Sequence, residues 1–237
     1  MPLLPLDSFL KWEKETPGRI FLRQPINGIW KTWTWAQAGN EARRIAQGLH
    51  SLGLKEKDHV ALLSKNCAQW IIADLAIMMA GCISIPIYPT LSAAAIEPIL
   101  IHSDAKAIIV GKLDDYALQV NGIPSNLIRI GINEYGIKEQ WSFEEMIANN
   151  EPLPQLYKWS SDEILTIIYT SGTTGISKGV MHCAGAFGST HNAAAPELEL
   201  PHQPQMFSYL PLSHIAERVG VEMNTIFSGG TISFAES

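Results

Sequence analysis

Residues Trp70 to Pro89 form an almost unbroken apolar run, and any fold adopted by this chain must bury all of it. About twenty consecutive apolar residues are enough to cross a bilayer as a helix. Asp74 stands inside the run, however, and Gly81 and Pro86 would break a spanning helix. A helix from about Ala68 to Ala80 that feeds directly into a strand near Ile83 to Tyr88 accounts for the run better. A strand that is apolar on both faces needs a layer above it and a layer below it.

The neighbouring segments supply those layers. Ala38, Ala42, Ile45, Ala46, Leu49 and Leu52 recur at helical spacing, with Glu41, Arg43 and Arg44 opposite and Gly53 as the stop. A strand is predicted around His59 to Ser64, a helix at Ala93 to His102, and strands at Lys106 to Val110 and Leu127 to Ile132. Ser142 and Glu145 have the spacing of a capping box at the head of a short helix. The polar segment Asn149 to Ser161, with Pro152 and Pro154, reads as a connection. Beyond it lie a strand at Ile164 to Thr170, a helix near Met181 to Ala195, a strand at Met206 to Leu210, a helix from His214 to Phe227 and a strand at Thr231 to Ala235. The expected fold class is α/β, doubly wound, with mostly parallel sheets and helices on both faces. The expected organisation is a first α/β subdomain over residues 1–160 and the start of a second over 161–237.

Composition narrows the function. Hydrophobic residues make up 46% and charged residues 17%, so the chain can build a core and is not disordered. Seventeen Lys and Arg against 23 Asp and Glu give a net charge of −6, with no basic run, which argues against nucleic acid as a partner. Cys67, Cys82 and Cys183 are odd in number and far apart, which fits buried thiols in a reducing, cytoplasmic setting. The start, Met1 to Asp7, lacks the basic residues and apolar stretch of a secretory signal.

The segment that carries chemistry is Tyr169-Thr-Ser-Gly-Thr-Thr-Gly-Ile-Ser-Lys-Gly-Val180. It leaves a strand with the hydroxyls of Thr170, Ser171, Thr173 and Thr174, the close-approach glycines Gly172, Gly175 and Gly179, and the ammonium of Lys178. Backbone N–H groups, hydroxyls and one cation on a glycine-rich loop suit a polyphosphate. The order of residues is not that of a Walker P-loop, because Ser177 precedes Lys178 and Gly179 follows it.

This segment resembles the phosphate-binding signature of the adenylate-forming superfamily, which includes acyl-CoA synthetases, luciferases and peptide-synthetase adenylation domains. Ser177 stands where the family usually has proline, and Met181-His-Cys-Ala replaces a common Thr-His continuation. Thr34-Trp-Ala-Gln37, Asn66 with Trp70, Leu75-Ala76 and Gly81 with Pro86 are also similar to the family's pattern. Ile87-Tyr-Pro-Thr90, Ser103-Asp-Ala-Lys106 and Tyr209-Leu-Pro-Leu-Ser-His-Ile-Ala-Glu-Arg218 resemble its long-chain fatty-acid–CoA ligase branch.

The resemblance implies that the chain is the N-terminal portion of an enzyme that uses ATP, Mg²⁺, a fatty acid and coenzyme A. It also implies peripheral contact with a membrane surface, although no amphipathic basic helix marks an anchor. Thr170, Ser171, Gly172, Thr173, Thr174, Gly175 and Lys178 would hold the β- and γ-phosphates, with Thr170 also touching Mg²⁺. His214 would shape and polarise the carboxylate pocket, although a histidine at a helix start also commonly serves backbone groups. Aryl, short-chain or amino acids remain alternative substrates, and a non-catalytic module that keeps the fold is a further alternative. The family's adenine, hinge and late lysine motifs are expected beyond Ser237, so little ligase activity is expected of these residues by themselves.

Glu217 and Arg218 read as a structural ion pair or a solvated face. His182 and Cys183 lack partners at metal-ligand spacing and read as helix packing. His191 and His202 stand alone, and the adjacent Asp114 and Asp115 are poorly arranged for acid–base work.

Overall fold

A computed structural model of the chain describes residues 3–170, 177–197, 199 and 201–236. In chain order its elements are α1 (Pro5–Glu15), β1 (Ile20–Ile26), β2 (Ile29–Thr34), α2 (Trp35–Ser51), β3 (His59–Leu63), α3 (Ala68–Met79), β4 (Ile83–Ile87), α4 (Ala93–His102) and β5 (Ala105–Val110). They continue with β6 (Ile128–Gly131), β7 (Trp141–Ser142), α5 (Phe143–Asn149), β8 (Ile164–Thr170), β9 (Lys178–Cys183), α6 (Ala184–Glu197) and β10 (Gln205–Ser208). A last helical stretch comprises α7 (Ile215–Glu217), a π-helical turn (Arg218–Met223) and α8 (Asn224–Ser228), and β11 (Thr231–Phe234) follows.

Seven strands form one sheet in the order β7-β6-β5-β3-β4-β8-β9, parallel except for the β8–β9 pair. Four form a second in the order β10-β11-β1-β2, where only β1 and β2 run antiparallel. Both sheets draw strands from either side of residue 160, since β8 pairs with β4 and β11 pairs with β1.

The apolar run is buried from every direction. All twelve residues of α3 are buried, and the helix packs on β3 and β4 of the larger sheet, on β1 of the smaller and on α1 and α2. Alternation along β3 divides its side chains between two cores: Val60 and Leu62 face α3, whereas Ala61 and Leu63 face α4. Gly81 turns α3 into β4 at φ +74°, and a Cβ there would lie 2.7 Å from the Tyr157 ring.

Asp74, the one charge in the run, is fully buried against Arg218, whose Nη2 donates to Asp74 Oδ2 at 2.7 Å. Glu222 is also fully buried, with Oε2 3.3 Å from Arg218 Nε. Burial pushes the Glu222 carboxyl well above the usual carboxylate range, because Arg218 offsets only part of the lost hydration. Glu217 and Arg218 do not pair with each other, nor do they form a solvated face. Glu217 is buried and accepts from Ser208 Oγ at 2.8 Å and from Tyr209 N at 2.9 Å.

Two local readings also change. Residues 178–183 are a strand, not the approach to a helix at Met181, because Thr166 and Ile164 pair with His182 and Cys183. Only half of the capping box at Ser142 forms. Ser142 Oγ accepts from Glu145 N at 3.2 Å, while the returning carboxylate is absent and Glu144 instead accepts from Asn133 N and Glu134 N.

Removing one member of a fully buried ion pair strands the other. Asp74→Ala is therefore expected to lower unfolding free energy by about 3–5 kcal/mol in urea denaturation. A second expectation concerns Glu41 on α2, which accepts from Trp33 Nε1 at 3.1 Å. Burial pushes its carboxyl from the ordinary 4.5 up to about 7. The folded pKa is the raised one, so the Glu41 contribution to stability is full below about pH 4.5 and is lost as pH rises through about 7. Glu41→Gln should match wild type in thermal unfolding at pH 4 and exceed it at pH 8.

Candidate active site

β8 and β9 bracket the glycine-rich segment as the two arms of an antiparallel hairpin. Thr170 ends one arm and Lys178 opens the other, and the two are register partners. Directly opposed residues of a ladder project to the same face, so the Thr170 hydroxyl and the Lys178 ammonium share one side of the hairpin. Both residues are exposed. Ser171, Gly172, Thr173, Thr174 and Gly175 lie outside the described residues.

Next along the arms, Gly179 opposes Tyr169, and a Cβ on Gly179 would meet Ile167 Cγ2 at 2.8 Å and the Tyr169 ring at 3.2 Å. The glycine makes room for that ring, whose hydroxyl bonds His102 Nδ1 at 2.7 Å and so ties the hairpin to α4. Burial raises the Tyr169 phenol above its ordinary value, so it is neutral.

His214 caps α7. Its Nδ1 accepts from Ala216 N at 3.1 Å, and its ring meets the Tyr88 ring edge-on with centroids 6.3 Å apart. A neutral imidazole that accepts at Nδ1 carries its proton on Nε2, so the cap leaves a hydrogen-bond donor on the far side of the ring. The segment leading into the cap is held at both ends. Asn66, just past β3, donates to Ser208 Oγ at 2.8 Å and accepts from Leu212 N at 2.8 Å, and Glu217 clamps Ser208 and Tyr209 from the helix side.

Thr170 and His214 line one cleft of about 370 Å³, together with Tyr88, Leu91, Ile99 and Ser177. No acidic side chain lines it among the described residues, and no group of three His, Cys, Asp or Glu that could hold a metal occurs there. Among the described residues, the side-chain oxygens on its walls are neutral hydroxyls, including that of Thr170. These could add one ligand to a Mg²⁺ ion already held by nucleotide phosphates, but they could not bind the free ion.

The remaining sequence candidates fall elsewhere. His182 lies on β9 with its ring 6.0 Å from that of Phe187, and burial followed by the nearby Arg218 charge lowers its pKa. His191 bonds Asn224 Oδ1 at 2.7 Å and stacks on Phe227. His202 packs on Trp12, and Asp114 pairs with Lys65 at the surface. The cleft residues that sequence reasoning left without a role are Tyr88, Thr90, Leu91, Ile99, Tyr169 and Ser177. The resemblance at Ile87 to Thr90 took in Tyr88 and Thr90, and the glycine-rich segment took in Tyr169 and Ser177. Among the described residues no helix is long and apolar enough to cross a membrane.

A family model described as AMP-binding enzyme matches residues 9–237. The long-chain-fatty-acid–CoA ligase FadD15 of Mycobacterium bovis is 30% identical over an alignment covering 94% of this chain and 38% of its own length. Among solved structures, the inhibitor-bound N-terminal domain of FACL13 from Mycobacterium tuberculosis superposes with a TM-score of 0.84 at 23% identity, covering 99% of this chain and 57% of that one. O-succinylbenzoate coenzyme A synthetase (MenE) from Bacillus subtilis, in complex with AMP, gives a TM-score of 0.80 at 22% identity, covering 97% and 55%. The chain thus spans well under half the length of the curated relative, and the two structural matches establish the fold. On the match to residues 9–237, this chain belongs to the AMP-binding enzyme family.

Proposed function

We propose that this chain carries the phosphate-handling part of the active site of an ATP-dependent long-chain fatty-acid–CoA ligase. The observation that carries the reading is the shared cleft: Thr170, at the mouth of the glycine-rich segment, and His214, the helix cap, line the same cavity. The chain's similarity to relatives named as long-chain ligases supports the acid.

In this reaction a fatty-acid carboxylate attacks the α-phosphorus of ATP, forming an acyl-adenylate and releasing pyrophosphate. The thiol of coenzyme A then attacks the acyl carbon, giving the thioester, AMP and a proton. Lys178 and the hydroxyl of Thr170, on one face of the hairpin, neutralise and orient the departing β- and γ-phosphates alongside residues 171–175. The Nε2–H of His214 donates to a carboxylate or α-phosphate oxygen across the cleft, and Tyr88 holds its ring edge-on. The Thr170 hydroxyl would add one ligand to a Mg²⁺ ion carried by the nucleotide, which would supply Lewis-acid stabilisation of the phosphate charge.

Calorimetric titration of Mg·ATP tests the phosphate role. One lost charge-assisted contact of about 1.5–3 kcal/mol predicts roughly 10- to 150-fold weaker binding by Lys178→Ala. Equal affinity of the two proteins would remove Lys178 from the phosphate site. The acid is tested by ATP–pyrophosphate exchange in a polypeptide of the relatives' full length that carries this sequence. Long-chain fatty acids should support exchange better than aryl, short-chain or amino acids, and the reverse order would overturn the long-chain assignment.

A further inference from the structure

Arg218 takes no part in the phosphate chemistry described above. It is fully buried and lines none of the cleft, yet it touches the elements on which the cleft is built. Its Nη1 lies 3.2 Å from Ser84 Oγ on β4 and 3.3 Å from Thr166 Oγ1 on β8. Its Nη2 reaches Asp74 on α3 at 2.7 Å, its Nε faces Glu222 on the π-helical turn, and its guanidinium carbon sits 5.3 Å from the Trp70 ring centroid. β4 runs out to Tyr88, β8 ends at Thr170, and Arg218 lies one helical turn after His214.

The junction at which Arg218 sits is thinly held by backbone. Among the described residues, β4 and β8 register at one pair, Ser84 and Thr166. Those two side chains bond each other at 3.0 Å, and Thr166 Oγ1 also donates to the Ser84 carbonyl at 2.9 Å. The guanidinium completes this network from the helix side. Its planar fork reaches three elements at fixed angles, which an ammonium on a flexible stem does not do.

We propose that Arg218 is a positioning residue that fixes the placement of His214 and Tyr88 relative to Thr170, acting through Ser84 and Thr166. The chemical meaning of that placement rests on the ligase reading, whereas the placement itself does not. Replacing a buried ionic cluster by apolar groups often leaves a fold intact, so the cluster at this junction is better explained by geometry than by net stability.

The test is made on the ligand-free protein, so its outcome is independent of whether Mg·ATP binds. Arg218→Lys keeps a cation for Asp74 but cannot span to both hydroxyls, and Thr166→Val removes the β8 partner while preserving its shape. In NMR spectra of the folded variants, both should lose the nuclear Overhauser cross-peaks between the His214 and Tyr88 rings and shift the Thr170 methyl resonance. The amide of Gln37, which the remote Thr34 cap fixes, should keep its wild-type position. If the folded variants lose only melting temperature and keep the His214–Tyr88 cross-peaks and the Thr170 shift, Arg218 is merely structural and the proposal fails. Should Arg218→Lys not fold, Thr166→Val decides the question by the same two signals.

Discussion

The architecture turns on one buried ion pair, Asp74 with Arg218. A carboxylate in the middle of a helix that is buried on every side is tolerated only if a cation reaches it, because desolvating an unpaired charge costs several kcal/mol. Arg218 supplies that cation from a segment 144 residues further along the chain. Trp70 and Asp74 are one turn apart on α3, and Ser84 follows on β4, so three residues of the same apolar run converge on a single guanidinium. The run that forces the chain into two layers around a helix is also the run that determines where the last helical stretch must dock.

That docking is not fully satisfied in hydrogen bonds. Among the described residues Asp74 Oδ1 and Glu222 Oε1 have no hydrogen-bond partner, and burial raises the Glu222 carboxyl well above the usual carboxylate range. A polar network that is only partly paired is a poor source of stability, and its use lies in register. The π-helical turn begins at Arg218 itself and contains Glu222, which faces the guanidinium, while α8 continues towards β11. Wide turns of this kind are uncommon in helices and cluster at functional sites. Here the turn lies directly behind the histidine that faces the cleft.

Legibility in the sequence followed the range of the forces involved. α3 and β4 could be read to within a residue or two because burial on all sides writes itself locally as an apolar run with a glycine break. The β1–β2 hairpin was legible but unread: Asn27-Gly28 is a strong signal for a two-residue turn, and both residues have positive φ. The same holds for Thr34 and Gln37, a reciprocal capping box at the head of α2. Other features could not be read locally. Val180 and Met181 are apolar but exposed on β9, so their pattern does not report the strand. Arg218 beside Glu217 reads as an ion pair along one helix, whereas only Glu222 among its partners is local and Asp74, Ser84 and Thr166 come from α3, β4 and β8, which the tertiary fold brings near.

The hairpin origin of the glycine-rich segment also limits how it can hold an anion. In a Walker loop the strand leads through the loop into a helix, whose N-terminal amides and dipole point at the phosphate. Here the segment returns as a second strand, and α6 begins only at Ala184, after six residues of β9. A dipole acting within the first turn of a helix does not reach across that length, so under the proposed reading Lys178 supplies the positive charge that α6 does not. His214 occupies the complementary position. Its capping bond and the role proposed for it are not competing explanations, because the bond occupies Nδ1 and leaves Nε2 as the ring nitrogen open to the cleft. A histidine left uncapped at the same place could present either nitrogen, and the pocket would lose the fixed polarity that a carboxylate or phosphate oxygen needs.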